Sequence, residues 1–333
     1  MQRQRDIESW LETLFPGQKI VLTTASADAS FRRYFRFSLV DGRSRIVMDA
    51  PPTHEDCRPW LHVQKLFNDA GAAVPEVLAE NLAQGFLLIS DLGTSTYLDT
   101  LQHATPQAAK PRYLAALETL VNIQHASRPD MLPPYDRVLL KREVELFPEW
   151  YVTRHLNFTL SNDQRNQLDT AFDRILAVNL AEPKVYVHRD YHSRNLMLPV
   201  NGIKPGVIDF QDAVYGPISY DLVSLLKDAY IEWDEEITLD WLIRYWEFAR
   251  AAGVPINQDF AEFHRDYEWM GVQRHLKVLG IFARLYHRDG KDGYLKDMPL
   301  VAKYLRTACT RYDELTPLRK LLDQLEDKIT VPG

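Results

Sequence analysis

Val185-Tyr-Val-His188-Arg189-Asp190-Tyr-His192-Ser-Arg194-Asn195-Leu-Met197, followed by Gly206-Val-Ile-Asp209-Phe210-Gln211-Asp212, is the stretch that decides the fold. Two apolar runs bracket a polar loop, and a turn at Asn201-Gly202 leads into a third run. The loop spells H-R-D-x-x-x-x-N, and Asp209 adds a second carboxylate between two apolar residues and Phe210. Phosphoryl transfer suits this pattern. It asks the protein for a hydroxyl held in line with a γ-phosphate and for charge neutralisation, with little covalent work. Asp190 is placed to orient that hydroxyl and take its proton. Asn195 and Asp209 offer the hard oxygen ligands that Mg²⁺ prefers. Any one of these residues alone reads as a turn or cap residue; the joint pattern carries the inference.

Working outward, residues 19–24, 33–39 and 45–49 read as strands separated by turn residues. Trp60, Val63, Phe67 and Ala70 recur in steps of three and four, predicting a helix over 56–70 that stops at Gly71 and Pro75. Two further strands are expected at 76–80 and 85–90. The rest is mostly helical: Val272, Leu276, Leu279, Ala283 and Tyr286 line one face, and Val301, Tyr304, Leu305 and Ala308 another. The expected fold is α+β and bilobal. Residues 1–91 form a nucleotide-binding lobe with a five-stranded antiparallel sheet and one helix, and 92–333 a helical lobe with the catalytic loop, metal site and acceptor site. A hinge is expected near 90–93.

At the two loops the chain resembles the protein-kinase-like phosphotransferases of small molecules, which include aminoglycoside phosphotransferases, choline kinases and homoserine kinases. The family loop commonly reads H-G-D-x-x-x-x-N, with Gly where this chain has Arg189. Its metal motif is matched by Ile208-Asp209-Phe210 with Gly216-Pro217 and Asp221-Leu222. The resemblance spans the chain. Segments 29–36, 46–52 and 274–288 look most like the anomeric kinases of N-acetylmuramate and N-acetylglucosamine in cell-wall recycling. That likeness implies ATP and Mg²⁺ as cofactors, an amino sugar as acceptor, a sugar 1-phosphate as product, and a nucleotidyltransferase to consume it.

Within this frame, Ser90, Asp91 and Leu92 are expected to bind adenine, and Ala29, Ser30, Arg32 and Arg33 the phosphates. The phosphate loop lacks glycine. Met48 stands where the family's Lys is expected and Trp60 near its Glu partner, so both members of an ion pair are absent together, which avoids an uncompensated buried charge. Arg32 or Arg33 is the expected replacement cation. Arg194 is expected either to stabilise developing charge in transfer or to hold a sugar carboxylate. His192, Gln211, Asp212, Glu268 and Trp269 are the candidate sugar contacts. His188 and Asp221 are expected to hold the loop rather than react. Most of the clustered aromatics, Trp241 and Tyr245 among them, are expected in the core. Two other readings stay open at this stage: a kinase of the same fold for an aminoglycoside or amino alcohol, and a non-catalytic ATP-binding pseudokinase.

Composition supplies exclusions. The 333 residues carry a net charge of −7 and are 46% hydrophobic, enough for a sizeable core. An acidic balance argues against a general nucleic-acid binder. No apolar run is long enough to span a membrane, and acidic residues interrupt the N-terminal region where a signal peptide needs an apolar run. The two cysteines, Cys57 and Cys309, form no framework. A cytoplasmic setting is the expectation.

Overall fold

The computed structural model describes residues 2–27, 31–198 and 204–329. Ala29, Ser30 and the expected turn at 201–202 lie outside the described residues. Contacts divide the chain into two units, Met1–Ser95 with Leu196–Asp212, and Thr96–Asn195 with Ala213–Gly333. Residues 196–212, which the sequence division left with the second lobe, therefore pack with the first unit.

The first unit contains α1 (Gln2–Leu14), β1 (Thr23–Ala27), β2 (Arg33–Ser38), β3 (Ser44–Asp49), α2 (Cys57–Asp69), β4 (Val77–Asn81) and β5 (Phe86–Ser90). The five strands form one antiparallel sheet in the order β1-β2-β3-β5-β4. Strand alternation gives it two distinct faces. Phe35, Phe37, Val47, Phe86 and Leu88 pack on one face with Ile7 and Leu11 of α1. Met48 lies on the other and is fully buried. Helix α1 was not anticipated, because its apolar pair has meaning only once a sheet face needs covering. In α2 the Asp56 carboxylate caps the first turn by accepting from the Arg58 amide at 2.9 Å. Its Trp60 and Phe67 rings lie 5.1 and 5.9 Å from the ring of Phe210. Gly85 has φ +71°, and a Cβ there would come within 1.9 Å of the Ala50 carbonyl oxygen, so the turn into β5 accepts only glycine. The hairpin β7 (Leu196–Met197) with β8 (Gly206–Val207) joins this unit through the Val207 amide, which donates to Ala73 at 2.7 Å.

The second unit contains α3 (Tyr97–Leu101), α4 (Pro106–His125), α5 (Arg137–Val144), a π-helical stretch Phe147–His155, α6 (Asn162–Ala181), β6 (Lys184–Val187) and β9 (Val214–Pro217). Then follow α7 (Tyr220–Leu226), α8 (Glu235–Ala251), α9 (Phe260–Asp289), α10 (Met298–Arg311) and α11 (Thr316–Ile329). Strands β6 and β9 pair antiparallel, and the loop His188–Asn195 follows β6. Helix α9 runs through the core, where Val272, Leu276, Leu279 and Ala283 are buried as their spacing predicts. Gly280 permits its close approach to the backbone of Leu146, 2.4 Å from where a Cβ would stand. Among the described residues no helix is long and apolar enough to cross a membrane.

Candidate active site

In the second unit the loop from His188 to Asn195 is fastened at almost every residue. The buried Asp221 carboxylate accepts from the His188 amide at 2.6 Å and the Arg189 amide at 3.0 Å. Burial raises the Asp221 carboxyl to about 6, against the pull of His188 and these two amides. The imidazole Nδ1 of His188 accepts from the Asp190 amide at 3.2 Å. The Tyr191 hydroxyl donates to the Ala116 carbonyl at 2.8 Å, and the Ser193 amide to buried Asp228 at 3.0 Å. His188 and Asp221 thus hold the loop, as expected of them.

Behind the loop lies a buried ionic network. Arg189 donates to Glu143 of α5 at 2.5 Å, and Lys277 of α9 approaches the same carboxylate at 3.0 Å. Arg274, one turn earlier on α9, donates to the Arg189 carbonyl at 2.9 Å and has a guanidinium nitrogen 3.9 Å from Asp190. The Tyr220 hydroxyl accepts from Lys277 at 2.8 Å and from Arg274 at 3.2 Å. Burial alone would raise the Asp190 carboxyl, but Lys277 and Arg274 hold it well below the usual carboxylate range. Burial likewise acts against ionised Glu143, and Lys277 with Arg189 lowers it overall. Asp190 is therefore a charged acceptor at neutral pH, with its side chain 46% exposed.

Asn195 donates through its amide nitrogen to the Asp190 carbonyl at 3.0 Å. That bond fixes the amide and turns its oxygen, the atom a hard cation needs, to the opposite end. Asp209 belongs to the first unit. It has φ +62°, a strained backbone for a non-glycine residue of the kind that persists at functional sites, and its carboxylate accepts from Gln211 at 2.8 Å. Gln211 is nearly buried and Asp212 exposed.

Residues 21–254 match the model of the APH phosphotransferase enzyme family. A relative from Neisseria meningitidis, named N-acetylmuramate/N-acetylglucosamine kinase, is 53% identical over 98% of this chain and 96% of its own. One of the same name from Pseudomonas aeruginosa is 45% identical over 97% of each chain. Among solved structures, the choline kinase LicA from Streptococcus pneumoniae superposes with a TM-score of 0.64 at 12% identity, over 92% of this chain and all of its own. A choline/ethanolamine kinase family protein from Mesorhizobium loti gives 0.60 at 14%, over 96% and 99%. The chain belongs to the APH phosphotransferase family. Its sheet and helical unit are the protein-kinase-like architecture of that family.

Against that family's pattern the departures now have structural form. Arg189 adopts φ +77°, the left-handed region that a glycine enters without cost. Its guanidinium offsets that strain by anchoring Glu143 and lying 5.6 Å over the Tyr135 ring. In place of a Lys–Glu pair, the first unit buries Met48 and packs Trp60 on Phe210. Arg33 does not stand in for the missing cation. Alternation puts it on the α1 face with Phe35, where it shares the buried Asp49 carboxylate with Arg3. Arg32 precedes β2 and lies 3.8 Å from Glu55.

The segment expected at adenine is braced. Arg36 donates to Asp91 at 2.6 and 2.9 Å and to the Gly93 carbonyl at 2.7 Å. Burial acts against the Asp91 charge, yet Arg36 and Ser44 lower it overall. The Ser90 hydroxyl accepts from the Glu76 amide at 2.8 Å, and Leu92 packs against Gly206. Two expected sugar contacts are corrected. Trp269 is buried in the helical core, and Glu268 is held between Lys227 at 2.8 Å and Arg311 at 3.0 Å. Glu268 does line a cavity of about 240 Å³ with Trp233 and Tyr267. Sequence reasoning missed Glu143, Asp228, Arg274 and Lys277. The available signal was a pair of cations three residues apart on α9, both of which the fold buries.

Proposed function

We propose that the protein transfers the γ-phosphoryl group of ATP to the anomeric hydroxyl of N-acetylmuramate and N-acetylglucosamine. The observation that carries this reading is the near-complete match, at 53% identity, to a kinase named for those two sugars. The site suits the chemistry. Ionised Asp190 accepts a hydrogen bond from the acceptor hydroxyl, aligns it, and takes its proton as the new bond forms. The donor set Asn195 and Asp209 is one of hard oxygens, as Mg²⁺ requires. Among the described residues no group of three or more His, Cys, Asp or Glu is placed to hold a metal ion by itself. Mg²⁺ commonly takes one or two carboxylates and completes its shell with phosphates and water. When bound it neutralises phosphate charge.

In this reading the backbone of Ser90, Asp91 and Leu92 receives adenine. Arg32, with the loop holding Ala29 and Ser30, receives the phosphates. His192, Gln211 and Asp212 meet sugar hydroxyls. The product would feed a nucleotidyltransferase in the cytoplasm.

The test is ³¹P NMR of the protein with Mg·ATP and a panel of N-acetylmuramate, N-acetylglucosamine, glucose, kanamycin, choline and homoserine. A sugar 1-phosphate signal that disappears in Asp190→Asn supports the proposal. Turnover only of kanamycin, choline or homoserine would leave a kinase with another acceptor, and no turnover at all would leave an ATP-binding pseudokinase.

A further inference from the structure

The two sugars of the proposed reaction differ by one group: N-acetylmuramate carries a lactyl ether with a free carboxylate, and N-acetylglucosamine a hydroxyl. A site serving both must offer a cation to the first without stranding that cation when the second is bound. An uncompensated buried charge would penalise the neutral sugar, and a tightly paired one would give the carboxylate nothing.

The cations around Asp190 divide on this criterion. Arg189 and Lys277 are engaged by Glu143, and Arg274 by the Arg189 carbonyl and Tyr220. Arg274 and Lys277 stand behind the loop, and Arg189, though on it, sends its guanidinium back to Glu143. Arg194 differs. It lies on the loop itself, four residues after Asp190, and the loop coils back there: the His192 amide donates to Asp190 at 3.0 Å and the Asn195 amide to His192 at 2.9 Å. Its guanidinium rests 3.7 Å over the Tyr230 ring and 5.4 Å from that of Tyr294. Its acidic neighbour, Asp297, is 3.9 Å away, beyond hydrogen-bond reach, and that Asp297 oxygen has no hydrogen-bond partner. Burial raises the Asp297 carboxyl despite Arg194, as a loose pair would allow. The arginine side chain remains 35% exposed. Two aromatic faces and a distant carboxylate thus keep the cation tolerable when alone and leave its planar donor edge for a second anion. His192 borders the same place, its ring edge-on to Tyr230 at 5.5 Å.

We infer that Arg194, seated on Tyr230 and Tyr294 and loosely balanced by Asp297, is the specificity residue that binds the lactyl carboxylate of N-acetylmuramate. This inference rests on the proposed function. It resolves the two roles open to Arg194 in favour of recognition over charge stabilisation in transfer.

The test compares kcat/KM for N-acetylmuramate, its methyl ester and N-acetylglucosamine in the wild type, Arg194→Met and Arg194→Lys. Loss of a charge-assisted Arg–carboxylate contact should lower the Arg194→Met value for N-acetylmuramate roughly 10- to 100-fold. N-acetylglucosamine should change by less than about threefold, with Arg194→Lys between the extremes. In the wild type the neutral ester should lose as much as N-acetylmuramate loses in Arg194→Met, a result that needs no variant to fold. Equal losses with both sugars would overturn the inference and assign Arg194 to transfer; an undiminished ester or an undiminished Arg194→Met would overturn it also. A wild type that phosphorylates neither sugar would sink the proposed function, and this inference with it.

Discussion

Glu143→Gln is the perturbation that most directly tests the buried network. Glu143 is 5% exposed and receives Arg189, Lys277, the Tyr135 hydroxyl and the Gln273 amide, the last at 3.3 Å. Glutamine keeps the shape and an acceptor for Tyr135 but removes the charge that balances two buried cations. Removing one partner of a buried pair typically costs about 3–5 kcal/mol, and the retained acceptor places this case near the lower end, about 3 kcal/mol. Arg189→Gly attacks the same contact from the other side with a different balance. Glu143 keeps Lys277, so the loss is about 1.5–3 kcal/mol for one charge-assisted hydrogen bond. Releasing a non-glycine residue from φ +77° returns about 1–2 kcal/mol. The net is about 1 kcal/mol. Urea unfolding at constant m-value reads both, and the double variant should cost less than the sum of the singles because the two share one contact. A Glu143→Gln penalty below about 1 kcal/mol, or an Arg189→Gly penalty that exceeds it, would refute the reasoning.

Asp221 gives a pH signature. Its carboxyl is raised to about 6 by burial, so its contribution to stability is complete below about pH 4, the unfolded range, and is lost as pH rises through 6. Asp221→Asn should flatten that part of the stability–pH curve, and an unchanged slope in urea midpoints would count against the assignment. Arg32→Met should raise KM for ATP several-fold while Arg33→Met leaves it within about twofold, since Arg33 is bound to Asp49 on the α1 face; initial-rate kinetics on ATP with equal effects would contradict the face assignment. Gly280→Ala should lower the unfolding free energy by roughly 1–3 kcal/mol through overpacking against Leu146, read by thermal unfolding, where an unshifted midpoint would show that α9 moves away freely.

What the sequence disclosed follows how local each signal is. The loop from His188 to Asn195 and the Asp209 segment are contiguous, so their residue types and spacing could be read directly. Helix α2 and the sheet strands carry their own periodicity. Helix α1 does not: its Ile7 and Leu11 matter because Phe35, Val47 and Leu88 share a face that needs a cover. The network behind Asp190 is harder still. Arg189 finds Glu143 across 46 residues, and its carbonyl receives Arg274 across 85. No local period encodes such partners. Arg33 was legible in part, because it alternates with Phe35 and Phe37 along β2, but its face became informative only when the register set it opposite Asp49. The same helical spacing that marked Trp241 and Tyr245 as core also applied to Trp269, and following it would have removed Trp269 from the acceptor site.

The low setting of Asp190 bears on what kind of hydroxyl this site phosphorylates. A general base works best when its pKa lies near the operating pH, yet Lys277 and Arg274 depress Asp190 instead. A carboxylate so stabilised is a poor proton sink, but it stays ionised and remains available to accept a hydrogen bond. It therefore aligns the nucleophile and accepts the proton late, which a loose transition state permits because the acceptor oxygen gains little positive charge before the phosphoryl group arrives. The arrangement suits an anomeric hydroxyl, a hemiacetal that is more acidic than an ordinary alcohol and needs less help to lose its proton. The consequence is measurable. With saturating Mg·ATP and sugar, kcat should show no acid limb from Asp190 between about pH 5 and 8, because the group stays ionised throughout. A limb with an apparent pKa of about 6–7 that shifts in Arg274→Met or Lys277→Met would show Asp190 titrating in the working range. It would also show that the cations behind it do something other than fix its charge.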